Sequence, residues 1–181
     1  DEAVAAYDVT WAFRLLVTTT AANETISPTF NSTEALTVDW GDGQVETVAA
    51  LTIGGINHTY DQAGTYTIIV SGGYRSLTRL VTQNRSYDYT LSDVSGLKNL
   101  IQLAANSSQV QGTKGLGYLH QLSTINIANC GLSQTEVDAV IRDIHANRGQ
   151  FTDPAPTLTL AGNNAAPSAS VVSNEIAELQ G

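Results

Sequence analysis

Asp39, Asp42, His58 and Asp61 fall in one segment of the chain, and carboxylates that close to a histidine are raw material for a metal loop or an acid–base pair. The common calcium loop needs a ladder of oxygen ligands ending in a Glu, and that spacing is absent. No second His or Cys lies near His58 in sequence. The alternative is that Asp42 satisfies the amides of a turn and Gly43 takes a left-handed position, as Asp-Gly pairs commonly do. Cys130 is the only cysteine, so no intrachain disulfide exists. As a nucleophile it needs a base and an electropositive setting; as a packing residue it needs only to be small and buried. His120 and His145 pair with no acid and nucleophile at a catalytic spacing, and His145 reads as a solvated helix-end residue. Glu136, Asp138, Asp143, Glu175 and Glu178 read as solvated faces. "GTKGLGYLH" from Gly112 is glycine-rich but lacks the order of a phosphate loop, and reads as a loop between two elements. The expectation is no catalytic residue, no metal and no cofactor.

The totals agree with that reading. A chain of 181 residues suits one large domain or two small ones. Only 14% of residues are charged, and the net charge is −9. Arg14, Arg75, Arg79, Arg85, Lys98, Lys114, Arg142 and Arg148 are scattered, so nothing could neutralise a run of phosphates and nucleic acid is excluded as a partner. No apolar run reaches the ~18 residues of a membrane span. The chain contains no Met and begins at Asp1, which leads us to expect a precursor trimmed upstream, as in secreted proteins and processed virion proteins.

The elements that must hold these residues begin as strands. Trp11 to Thr18 is dense in aromatic, aliphatic and β-branched residues. Leu36, Val38 and Trp40 alternate with Thr37 and Asp39, the period of a half-buried strand. "GDGQ" then predicts a tight hairpin turn leading into Val45 and Val48. After Gly54–Gly55 come "INHTY" and "GTYTIIV", with Tyr66, Ile68 and Val70 on one face.

The compound motif Trp40-Gly41-Asp42-Gly43, His58-x-Tyr60 and Gly64-x-Tyr66-x-Ile68 resembles the polycystic-kidney-disease (PKD) repeat, an immunoglobulin-like β-sandwich. The resemblance covers about residues 10–73 and implies that His58 and Tyr60 pack and hydrogen-bond at a corner. The segment is short for a seven-stranded sandwich, so strands are missing or replaced by later parts of the chain. On this reading Gly43→Val cripples folding through the turn, whereas His58→Ala and Cys130→Ala abolish no chemistry.

Sliding the sequence along itself, so that Leu100 falls on Leu122, exposes a repeat. Leu100, Leu103, Ala105, Ser108 and Val110 recur as Leu122, Ile125, Ile127, Cys130 and Leu132. Leu158, Leu160 and Asn163 continue the frame after a longer step. That longer step holds a predicted helix, Ser133 to Ala146, with Glu136 completing a capping box and Val137, Val140, Ile141 and Ile144 as its apolar stripe. A second helix is predicted from Ser168 to Leu179, with Val171, Val172, Ile176 and Leu179 inward. Residues 91–181 resemble the degenerate leucine-rich repeats of bacterial surface proteins and tailed-phage structural proteins, although such tails often add a strand after the last helix and this chain stops at Gly181. The resemblance makes Cys130 a small buried residue of the repeat ladder.

The expected fold is therefore mainly β with α/β repeats: a small PKD-like sandwich over 1–73, a bridging segment over 74–90, and a short leucine-rich-repeat-like solenoid with two helices over 91–181. What these resemblances imply is a non-catalytic structural and binding module, a virion protein that decorates a capsid or forms part of a tail or fibre. Its partners would be protein neighbours, including copies of itself. The alternatives are a secreted or cell-surface adhesin for glycan or protein, with Tyr74, Tyr87, Tyr89 or Tyr118 as stacking rings, and an accessory module of a larger extracellular hydrolase. Sequons at Asn23, Asn31, Asn57, Asn84 and Asn106 are expected by chance in so Asn-, Ser- and Thr-rich a chain.

Overall fold

Alternation of buried and exposed side chains carries the first half of the chain into strands. The computed structural model describes residues 12–82, 88–91, 94–110, 115–153 and 156–180. Trp11, Asn84, Tyr87, Gly112 and Gly181, and the side chains of Tyr89, Val110 and Leu179, lie outside what is described. The strands are β1 (Phe13–Thr19), β2 (Glu24–Ile26), β3 (Thr29–Ser32), β4 (Leu36–Asp39), β5 (Val45–Val48), β6 (His58–Tyr60), β7 (Gly64–Gly72), β8 (Leu77–Val81), β9 (Asp88–Leu91), β10 (Gln102–Ala104), β11 (Gln109–Val110), β12 (Thr124–Asn126) and β13 (Thr157–Thr159). Helix α1 (Gln134–Ala146) lies between β12 and β13. A closing helix follows in three pieces: Ala169–Val171, a π-helical turn over Val172–Ile176, and Ala177–Gln180. Among the described residues the protein is mainly β, with two short helical segments.

Two large sheets carry the fold. One has six strands in the order β11-β9-β1-β7-β4-β5, the other five in the order β13-β12-β10-β8-β3, and β2 pairs with β6 separately. Both large sheets cross the expected boundaries. β9 pairs antiparallel with β1, and β11 extends the sheet in parallel. On the other sheet, β3 of the first segment pairs antiparallel with β8, which pairs parallel with β10. Strands of the second half thus extend both sheets that the first half begins. Residues 77–81, expected in a bridge, form a strand inside a sheet because Leu77 and Leu80 are both fully buried and need a core to face.

The repeat offsets are the parallel registers. Leu103 lies opposite Ile125, and Ile125 opposite Leu158, which are the shorter and the longer step of the repeat in sequence. Leu80 lies opposite Leu103, one rung earlier. From β8 to β11 the chain alternates between the five-stranded and the six-stranded sheet, so each turn of the coil feeds both. After β12 it enters α1 instead. The inward side chains of both sheets and of α1 belong to one buried cluster, from Phe13 and Trp40 to Ile144 and Val171.

Helix α1 starts where a capping box predicts: Ser133 Oγ accepts from the Glu136 amide, and the Glu136 carboxylate accepts from the Ser133 amide at 2.8 Å. Val137, Val140, Ile141 and Ile144 are buried, as the spacing requires. The closing helix departs from expectation at Val172, which is 48% exposed while Val171 is fully buried. The π turn starts at Val172, and its wider winding moves the stripe off α-helical spacing. No helix among the described residues is long and apolar enough to cross a membrane.

Candidate functional site

The residues with the greatest chemical capacity meet at the β4–β5 hairpin. β4 ends at Asp39, and Trp40 N–H donates to Gln44 C=O at 3.0 Å to close the turn. Asp39 and Asp42 each accept from an amide two residues on, those of Gly41 and Gln44. Two positive-φ glycines permit this geometry: Gly41 at +82° and Gly43 at +92°. β6 then delivers His58 against the turn. His58 Nε2 meets Asp42 Oδ2 at 2.8 Å, and its ring lies parallel to Trp40, with centroids 4.5 Å apart. Tyr60 packs edge-on to His58 and donates its hydroxyl to the Trp40 carbonyl at 2.9 Å. Tyr66 of β7 stacks on Tyr60 at 3.9 Å.

Electrostatics follow from this packing. Partial burial pushes the Asp42 carboxyl up, but the Gln44 amide and the His58 side chain outweigh it and hold the group below its ordinary value. Burial above all, with the Asp42 charge behind it, raises the Tyr60 phenol. His58 is 7% exposed, walled by Trp40 and Tyr60, and its Nε2 is committed to Asp42. The Asp–His pair orients the turn: it joins β4 to β6 across two different sheets. Asp61 belongs to the same stretch, but among the described residues no hydrogen bond or ion pair joins it to this pair.

Cys130 sits half-buried between rungs, with its thiol donating to the Ala105 carbonyl at 3.1 Å. Burial raises its pKa, offset in part by the Ser108 and Ser107 backbone, so the thiol stays protonated at neutral pH. The residue that ties these rungs together is Asn164, one position beyond the residue expected. Its Oδ1 accepts from the Cys130 and Leu132 amides, and its Nδ2 donates to the Ile127 and Leu160 carbonyls. Asn163 is exposed and makes one side-chain bond, to the Gly131 amide. The two Asn are adjacent and identical in type, so spacing alone points to either.

Two acids expected on a solvated face have structural partners. Asp138 is 7% exposed and accepts from the Ser168 amide at 2.8 Å, which seats the closing helix on α1. Hydrogen bonds from Ser168 hold its carboxyl below the usual range. Asp143 accepts from the Gly115 and Gly117 amides, and a Cβ at Gly117 would collide with the Asp143 carbonyl. The glycines of the "GLG" stretch therefore serve the approach of this loop to α1. His145 is not solitary either: its Nε2 meets Glu178 at 2.9 Å, and Arg148 reaches both. Arg142 pairs with Glu175 beside them. Among the stacking candidates, Tyr74 is only 7% exposed and out of reach of a ligand, whereas Tyr118 is 56% exposed with Lys98 over its ring.

A further site was not visible in sequence. Asn31, Arg79, Gln102, Thr124 and Thr157 are Cα partners in one row straight across β3, β8, β10, β12 and β13. Phe30, Leu80, Leu103, Ile125 and Leu158, each one step along its strand, pack in or against the core. The polar row therefore lies on the opposite, outer face. The signal that could have found it is Leu77, Leu80 and Thr82, which precede Leu100, Leu103 and Ala105 with the same internal spacing. Among the described residues no group of three or more His, Cys, Asp or Glu side chains converges as a metal site. In comparisons with known proteins, no family model, no curated protein and no solved structure matches this chain.

Proposed function

We propose that this chain is a non-catalytic structural and binding module on an exposed assembly, and specifically a tailed-phage virion protein of a capsid surface or a tail. The observation that carries the reading is the rim formed by β5 and the loop after it. β5 is an edge strand, and Val45, Leu51 and Ile53 are 62%, 71% and 87% exposed. An open edge beside bare apolar side chains is a surface that favours cover by a neighbour. The finer fold belongs to the same reading: a PKD-like sandwich whose sheets are continued by leucine-rich-repeat-like rungs. It is supported by the Trp40–His58–Tyr60 corner and by parallel registers that reproduce both steps of the sequence repeat. The absence of catalysis is supported by an imidazole whose faces and Nε2 are occupied by the turn it braces, and by a thiol kept neutral by burial.

Density-gradient fractionation of the native source, with intact-mass spectrometry on the band holding this chain, tests the reading. Sedimentation with DNA-filled particles at fixed stoichiometry is the expected result. Recovery with cell envelope or medium instead rejects the virion assignment and favours the second reading, a surface adhesin. That second reading has its own observation, the outward polar row.

A further inference from the structure

Charge is segregated along this chain. Residues 15–74 contain six acids, Glu24, Glu34, Asp39, Asp42, Glu46 and Asp61, and no Lys or Arg. Residues 94–135 contain Lys98 and Lys114 and no acid. Apolar exposure follows the same division. Among the described residues seven large apolar side chains are exposed, and five of them lie in two places. Val45, Leu51 and Ile53 form the rim, while Ile101 and Tyr118 lie before β10 and β12. The rim carries a second sign of use. Its loop is held along β3, with Leu51 N–H donating to Ser32 C=O and Ile56 N–H to Pro28 C=O, both at 2.8 Å. Leu51 has φ +59°, a left-handed backbone unfavourable for a branched side chain, and that side chain is 71% exposed. Strain of this kind gathers where a surface meets a ligand or a partner. Glu46 on β5 and Glu34 just beyond Ser32 are exposed and make no ion pair among the described residues.

The second place is built from turns that lead into the five-stranded sheet. Ile101, 45% exposed, donates its N–H to Thr78 C=O and accepts from the Ser123 amide. Tyr118, 56% exposed, ends a short helical turn over Leu116–Tyr118. Lys98, in the turn before Ile101, holds its ammonium 5.7 Å from the Tyr118 ring centroid. It is exposed and has no ion-pair partner among the described residues. Asp143, which reaches this loop from α1, is committed to the Gly115 and Gly117 amides. The patch is therefore apolar with an unneutralised cation, and the rim is apolar with unneutralised anions. Aliphatic side chains between acids suit neither a sugar ring, which stacks on aromatic faces, nor an anionic lipid surface. They suit a protein surface that is apolar and positive, and the chain itself carries one. Both places lie towards one end of the fold. Leu51 bonds to Ser32, which is opposite Leu77 in register, and Asn99 donates to the Arg75 carbonyl just before β8. A two-fold axis at that end uses each rim and each patch once.

We propose that two copies of this chain pair with the Leu51–Ile53 rim of each on the Lys98–Ile101–Tyr118 patch of the other. The inference rests on the exposed-assembly reading above and names the neighbour that covers its rim. A net charge of −9 opposes indiscriminate association, but separation of the signs gives one orientation an attraction at contact, and salt screens charges beyond about 8 Å. Sedimentation velocity of the full chain over a concentration series tests the pairing. The chain should form dimers. Ile53→Ser and Lys98→Glu should each weaken association about tenfold or more, as loss of a central anchor or facing like charges do. Lys98→Gln should weaken it less than Lys98→Glu. Mixing Ile53→Ser with Lys98→Gln should recover association, since one intact rim then meets one intact patch. Both positions are exposed, so circular dichroism of each variant should match the parent. A chain that stays monomeric up to about 1 mM overturns the proposal. Association abolished by Ile53→Ser but indifferent to Lys98→Glu, which means rim on rim, overturns it too, as does a mixture no more associated than its components. A monomer recovered from DNA-filled particles rejects this pairing and upholds the virion reading; a dimer of the expected pattern recovered from cell envelope or medium does the reverse.

Discussion

Gly41 and Gly43 flank Asp42, and the turn uses them differently. A Cβ on Gly41 would stand 2.6 Å from the Thr67 carbonyl oxygen, whereas one on Gly43 meets nothing within 4 Å. Both have positive φ, which costs an L-residue about 1–2 kcal/mol. Gly43→Ala should therefore lose about that much in urea unfolding, and Gly41→Ala clearly more, because β7 backbone must also move. The greater steric demand lies at Gly41, two positions before the glycine that the turn motif emphasises. Asp42 provides a pH test at the same scale. Its carboxyl is held below the ordinary 3.8, so the folded state binds a proton less readily than the unfolded chain. Its contribution is complete above that value and is lost as pH falls through the lower folded one. Glu136 and Asp138 act in the same direction. The melting temperature should fall as pH drops below about 4, and less steeply in Asp42→Asn, whose remaining dependence reports the other two acids.

Between elements, Asn164 outweighs the more conspicuous charges. Its side chain makes four bonds to backbone groups of two neighbouring rungs. Asn164→Ala leaves those groups unpaired, at about 1–3 kcal/mol for each that water cannot reach. We expect a loss of at least about 2 kcal/mol in chemical denaturation, against less than about 1 kcal/mol for Asn163→Ala, which removes one exposed bond. The closing helix follows the same logic. Arg148–Glu178 is an exposed pair contributing about 0–1 kcal/mol, whereas Arg142–Glu175 joins an exposed guanidinium to a carboxylate only 18% exposed. Burial of Val171 contributes about 1.5–3 kcal/mol, so packing rather than charge holds this helix to the coil. Melting in high salt should leave its attachment intact.

For the molecule as a whole, the consequence of two sheets shared by both halves is cooperativity. β1 pairs with β9, and β3 with β8, so separating the halves strips these strands of partners. Heating should give one transition with calorimetric and van't Hoff enthalpies that agree. A fragment of residues 1–73 should fail to fold or should aggregate, since it leaves β1 with a new open edge and β3 without a strand partner over an uncovered core. An independently folded fragment with native-like melting would show instead that the halves are hinged units.

Alternation, turn chemistry and capping are local, and they were readable. Strands β1, β4, β6 and β7, the hairpin at Asp42, helix α1 with its capping box, and the parallel frame of Leu103, Ile125 and Leu158 all follow from neighbours in the chain. What a polar side chain finds across the fold is not local. Asp138 and Asp143 lie on a helix face indistinguishable in sequence from a solvated one, until the closing helix and the Gly115–Gly117 loop are laid against it. The choice of Asn164 over Asn163 is one of orientation, and two like residues carry no sequence signal for it. The polar row exists only because five strands distant along the chain align in register. Sequence by itself determined a β-rich chain with an Asp-Gly corner and a repeat. Only tertiary structure decided that corner and repeat share two sheets and one core, because strand pairing joins segments by hydrogen bonds that no local pattern specifies.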